Sequence, residues 1–196
     1  MPFENRSGDS DLDALGVMAA DWVTQGLTGA TFLTVHDVRS ALAAVRTLGR
    51  AATPVAVGRE TGAGAVVAGS YFLQGDSLRF QAQIISTADG SILVGIGGVT
   101  APRSRPLEGI EQLRQRSLGA LASLHDKDVT AFQTGLAQPP TYAAYKEYAE
   151  GLEAYLKTTW DDAGRHFERA AILDPSFLAA RVGAVARMLE RRLAWW

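Results

Sequence analysis

The sequence predicts an α+β protein, with a sheet-and-helix region over residues 1–124 and an all-helical segment over 141–196. Three runs between residues 65 and 100 have strand character and are separated by glycine-containing turns. The segments on either side repeat apolar residues at helical spacing. From about residue 141 tyrosine and alanine rise and the β-branched runs disappear, so composition changes where element type changes.

Residues 4–13 read as a polar loop. Leu12, Leu15, Met18, Ala19, Trp22, Val23 and Leu27 then form one apolar face of a helix. Asp9, Asp11 and Asp13 sit where caps and first-turn acids favour a helix start, and Gly26 and Gly29 end it. Residues 31–35 are a short β-rich run. Asp37 caps a further helix whose core face is Val38, Ala41, Leu42, Val45 and Leu48. Thr53-Pro54 begins a short helix that stops near Gly62, since proline suits the first helical position.

Strands follow over 65–73, 77–87 and 91–100, with turns at Gln74-Gly75-Asp76 and Asp89-Gly90. In the second strand Leu78, Phe80, Ala82 and Ile84 alternate with Arg79, Gln81 and Gln83, so the apolar set faces a core. A helix is expected over 106–124. Residues 125–140 are a linker, with a polar linker or a short helix over 125–138 that Pro139-Pro140 stops.

Composition narrows the function classes. The 196 residues are 47% hydrophobic and 20% charged, enough apolar material for a core. Net charge is −2, without the basic stripe of a nucleic-acid binder. There are no cysteines, hence no disulfides and no thiolate metal sites. No apolar run approaches the roughly 18–20 residues that span a bilayer. The chain opens on Met1-Pro2-Phe3 and closes on Trp195-Trp196, an apolar end, and is expected to be part of a longer protein, either cytoplasmic or the extracytoplasmic portion of a membrane-bound parent.

Catalytic residues, a cofactor and a metal are all expected to be absent. Asp9, Asp11 and Asp13 have the spacing of an EF-hand start, but Ala14 replaces the glycine and Ala20 the final acid. Gly62-x-Gly64 reads as a helix-to-strand turn, and Gly95-x-Gly97-Gly98 as strand glycines beside a bulge or close neighbour. His36, His125 and His166 do not pair with one another at ligand spacing. Ser70 lies in Gly69-Ser70-Tyr71, which is no nucleophile elbow.

The helical segment carries a repeat signature. Gly151 takes the small position of a first helix, Ala163 and Phe167 supply A-x₃-F, and Pro175 ends the second helix. Residues 144–177 thus resemble one tetratricopeptide repeat, with Glu147, Glu150 and Ala154 departing from its Trp, Leu and Tyr. Residues 178–196 look like the first helix of a second repeat, with Val182, Val185, Met188 and Leu189 on its face.

The preceding region resembles the TolB amino-terminal-like domain. The residues that carry this are Pro2-Phe3-Glu4-Asn5-Arg6-Ser7-Gly8-Asp9, Gly64-Ala65-Val66-Val67-Ala68-Gly69-Ser70-Tyr71, Gly75-Asp76-Ser77-Leu78-Arg79 and Ala88-Asp89-Gly90-Ser91-Ile92. Ala144-Tyr145-Lys146-Glu147-Tyr148-Ala149-Glu150-Gly151 matches the pattern that joins such domains to tetratricopeptide repeats. The resemblance implies a mixed-sheet α/β sandwich and a sensory or scaffolding role, often C-terminal to bacterial serine/threonine kinases, nucleotide cyclases or transcription regulators. The family's first strand, ahead of Pro2-Phe3, is missing here or cut to Met1.

A protein or peptide partner is therefore expected, and no enzyme within these residues. Tyr145, Tyr148, Leu152, Tyr155 and Leu156 either line the concave groove of the repeat or pack as core against the helix over 106–124 or the linker. The alternative function is a small-ligand sensor, with loop 4–13 and residues near His36 lining a pocket between sheet and helices.

Overall fold

The computed structural model describes residues 1–125 and 138–193, with side chains as far as residue 185. It is a mixed α/β, α+β-type protein of one four-stranded mixed sheet and seven α-helices among the described residues. The chain divides into two compact units, Met1–Ser117 and Leu118–Trp196. The division falls inside a helix. Most of the expected linker, Met188, Leu189, Trp195 and Trp196 lie outside the described residues or side chains.

In the first unit, strand β1 (Glu4–Asn5) leads into helices α1 (Ala14–Thr28), α2 (Val38–Leu48) and α3 (Pro54–Thr61). Strands β2 (Ala65–Gln74), β3 (Ser77–Ser86) and β4 (Ile92–Pro102) then form a meander, followed by α4 (Pro106–His125). The sheet order is β1-β2-β3-β4, with β1 parallel to β2 and the other neighbours antiparallel. Both hairpin turns use glycine at positive φ, Gly75 at 62° and Gly90 at 77°.

The alternation in β3 does what its pattern predicts. Leu78, Phe80, Ala82 and Ile84 are buried, and Arg79, Gln81 and Gln83 are exposed. α4 lies on the buried face: a Cβ at Gly109 would come 2.8 Å from the Phe80 ring and 3.0 Å from Ala101 Cβ. The register of β3 with β4 shifts between Phe80 and Ala82, opposite Gly97 and Gly98. The Arg79 guanidinium fills the space above Gly98 that a side chain would need. The expected reading of those glycines as bulge and close neighbour holds.

The caps of α2 and α3 are as predicted. Asp37 accepts a hydrogen bond from the Arg39 amide at 2.8 Å, and Thr53 Oγ1 accepts one from the Ala56 amide at 3.2 Å. α3 ends at Gly62 in the left-handed conformation.

Four expectations are corrected. Residues 31–35 form no strand: they connect α1 to α2 and pair with no strand of the sheet, and β-propensity without pairing does not make a ladder. A strand occurs instead at Glu4–Asn5, inside the segment read as polar loop, where it pairs with Ser70 and Tyr71. Gly26 does not end α1; it lies within the helix, where the Arg114 side chain takes the space of its missing Cβ. Met18 and Trp22 are exposed rather than on the buried face of α1, which is Leu15, Gly16, Ala19, Ala20, Val23 and Leu27. Trp22 has a polar reason: its indole N–H donates to Glu111 Oε2 at 2.9 Å. The Arg114 guanidinium beside Glu111, with this N–H, holds that carboxyl down to about 2.

Phe3 fixes β1 to α1. Its amide donates to the Gly16 carbonyl at 3.0 Å, its carbonyl oxygen occupies the place of a Gly16 side chain, and its ring fills the space above Gly69. A helix interior ordinarily prefers alanine to glycine by about 1 kcal/mol. Here the sign should reverse: Gly16→Ala should destabilise by about 1–3 kcal/mol, because a backbone carbonyl must move. Urea unfolding of both proteins measures this, and a more stable Gly16→Ala would refute the close approach.

Candidate functional site in the helical unit

The second unit contains helices α5 (Tyr142–Leu156), α6 (Trp160–Leu173) and α7 (Leu178–Leu193). Thr141 caps α5 by accepting from the Ala144 amide. The Thr141 amide in turn donates to Asp174 Oδ2 at 2.9 Å. Asp174 Oδ1 accepts from the Ser176 amide at 3.0 Å, so one buried carboxylate organises both the start of α5 and the turn into α7.

Phe167 is the hub. A Cβ at Gly151 would lie 2.6 Å from its ring, and one at Gly183 would lie 2.7 Å from it. The ring of α6 is thus held between glycines of α5 and α7. Tyr148 packs on it at 5.3 Å between centroids and meets Phe177 edge-on at 4.8 Å. Burial pushes the Tyr148 hydroxyl up to about 12, so it stays protonated at neutral pH.

The five residues expected to line a groove or a core separate into two groups. Tyr145, Tyr148 and Leu152 are buried; Tyr145 stacks on Tyr142 at 6.2 Å. Tyr155 and Leu156 are exposed, 48% and 71%. Tyr155 meets the equally exposed Trp160 edge-on at 4.9 Å. The turn between them is tight: Thr158 adopts φ 60°, and the Thr159 amide donates back to the Ala154 carbonyl. This brings the first residue of α6 onto the last turn of α5.

The face expected on α7 is corrected. The helix is seated through Ala180 and Ala184, with Gly183 against Phe167. Val182 and Val185 lie on the outside with Leu178, an i, i+4, i+7 stripe whose members are all half or more exposed. Small residues allow the close seat, so the larger valines are displaced to the opposite side.

Sequence spacing missed one constellation. His166 Nδ1 on α6 lies 2.9 Å from Glu147 Oε2 and 3.3 Å from Glu150 Oε2 on α5. No histidine pair was needed. The repeat register was the available signal, since it places these positions on facing sides of two adjacent helices.

In the first unit Asn5 ties loop 4–13 together. The Asn5 amide group donates to the Asp9 carbonyl and to Asp13 Oδ1, and its oxygen accepts from the Ser7 amide and hydroxyl. Asp9 pairs with Arg103 at 2.6 Å. His36 is exposed in the connection before α2. Among the described residues no helix is long and apolar enough to cross a membrane.

No family model matches the chain, and no curated protein matches it. Among solved structures it is similar to the LpoB C-terminal domain from Salmonella enterica, at 18% identity and a TM-score of 0.37 over 52% of this chain and 78% of that one.

Proposed function

We propose that the chain is a non-catalytic protein-interaction module, the regulatory part of a larger bacterial signalling protein. It combines a TolB-like domain over 1–124 with tetratricopeptide-like helices over 141–196. The observation that supports this best is the outer stripe of α7, Leu178, Val182 and Val185. A solvent-facing i, i+4, i+7 apolar stripe on an otherwise seated helix is the surface that a following helix or a partner helix packs on. The exposed Tyr155 and Trp160 pair adds aromatic area of the kind enriched at protein interfaces. Small-ligand sensing has less support, because Asn5, Ser7, Asp9 and Asp13 of loop 4–13 already bond within the fold.

The test is affinity capture by the whole chain, comparing wild type, the double variant Val182→Glu/Val185→Glu, Tyr155→Ala, and Arg59→Glu in α3 as control. The proposal expects proteins that wild type and Arg59→Glu both retain and the α7 variant loses. Recovery of one identical set by all four folded proteins would sink it.

A further inference from the structure

We propose that Glu147, Glu150 and His166 form a binding site for a divalent transition-metal ion of the zinc type, which clamps α5 to α6. The three ligand atoms lie within 4.8 Å of one another. Zinc bonds of about 2.0–2.1 Å in a tetrahedron put ligand atoms about 3.3 Å apart. His166 Nδ1 stands 2.9 and 3.3 Å from the two carboxylate oxygens, close to that spacing.

The placement is built into the helix pair. Glu147 and Glu150 are three residues apart and share one face of α5. Gly151, one residue further on, lets α6 approach so closely that a Cβ there would lie 3.2 Å from His166 Cβ. Glu147 and His166 are half-buried, and Glu150 closes the site from the solvent side. Lys157 and Arg165 pair with Glu153 and Asp162. Two carboxylates converge on one imidazole, and a divalent cation bound there neutralises the carboxylate pair.

The donor set selects the ion class. One imidazole nitrogen and two carboxylate oxygens suit zinc or cobalt(II), and three protein ligands leave a fourth position to water. Binding uses the Nδ1 lone pair, so the loaded site holds the imidazole proton on Nε2. The expected role is mechanical: the ion ties together two helices that carry the exposed Tyr155 and Trp160 between them.

Calorimetric titration of the chelator-treated chain with Zn²⁺, and the visible spectrum of the Co²⁺-loaded chain, test this. Wild type should bind a single ion and give the intense bands of low-coordinate cobalt. His166→Gln and Glu147→Gln should each weaken binding at least about tenfold. Glu150→Gln, at an exposed position that leaves packing intact, should also weaken it and shift the cobalt bands. His36→Gln, in the other unit, should bind as wild type does. Circular dichroism confirms that each variant is folded. No binding by wild type, wild-type affinity in folded Glu150→Gln and His166→Gln, or an equal loss in His36→Gln would each overturn the proposal.

Discussion

Phe167→Ala should cost about 3–5 kcal/mol, the range for removing a fully packed aromatic ring. The ring is buried, is gripped by glycines of both neighbouring helices, and carries Tyr148 on its side. Collapse into the space is blocked, because glycine has no side chain to lean inward and the α5–α6 and α6–α7 turns are pinned by Thr158 and Asp174. The loss should be local. Amide exchange should accelerate through α5, α6 and α7 while β2, β3 and β4 keep their protection. A loss below about 1 kcal/mol would mean that the site refills, and the hub would then lie elsewhere.

Phe80→Ala should be of similar size, about 3–5 kcal/mol, in the other unit. Phe80 is fully buried at the centre of β3, tilted against Tyr71 at 5.7 Å, with the backbone of α4 resting on it at Gly109. The strand ladder on both sides keeps β3 from sinking, so the void persists. Here the protection pattern should invert: the sheet amides lose protection and α6 retains it. Phe80→Leu, which refills most of the volume, should recover more than half of the loss. Equal damage to both units by Phe80→Ala would show that they do not open separately.

The sheet was legible because one residue type decides each position. Alternation in β3 and glycine at both hairpins leave little choice of register. The capped helices were legible for the same reason, since Asp37 and Thr53 act on amides two or three residues away. What local pattern did not contain was partnership. Residues 31–35 have strand composition yet pair with no strand, while Glu4–Asn5 lack that composition and pair because Phe3 is anchored at Gly16 and Gly69. Trp22 looked like core by spacing and is held outside by Glu111, 89 residues away. The same limit applies to the site. The tyrosine stripe could be placed on α5, but which tyrosines turn inward depends on Phe167 and Phe177. Glu147, Glu150 and His166 meet only once the helices are paired.

The anchoring of Phe3 bears on the order of folding. The β2–β3 and β3–β4 hairpins close over short spans and should form early. β1 reaches Ser70 and Tyr71 only by closing a loop that contains α1, α2 and α3. It joins a sheet edge formed by other strands, so its contacts are expected on the downhill side of the folding barrier. Stabilising that strand would leave the folding rate nearly unchanged and slow unfolding, making the first residues of the chain a latch on its lifetime rather than a seed of its fold.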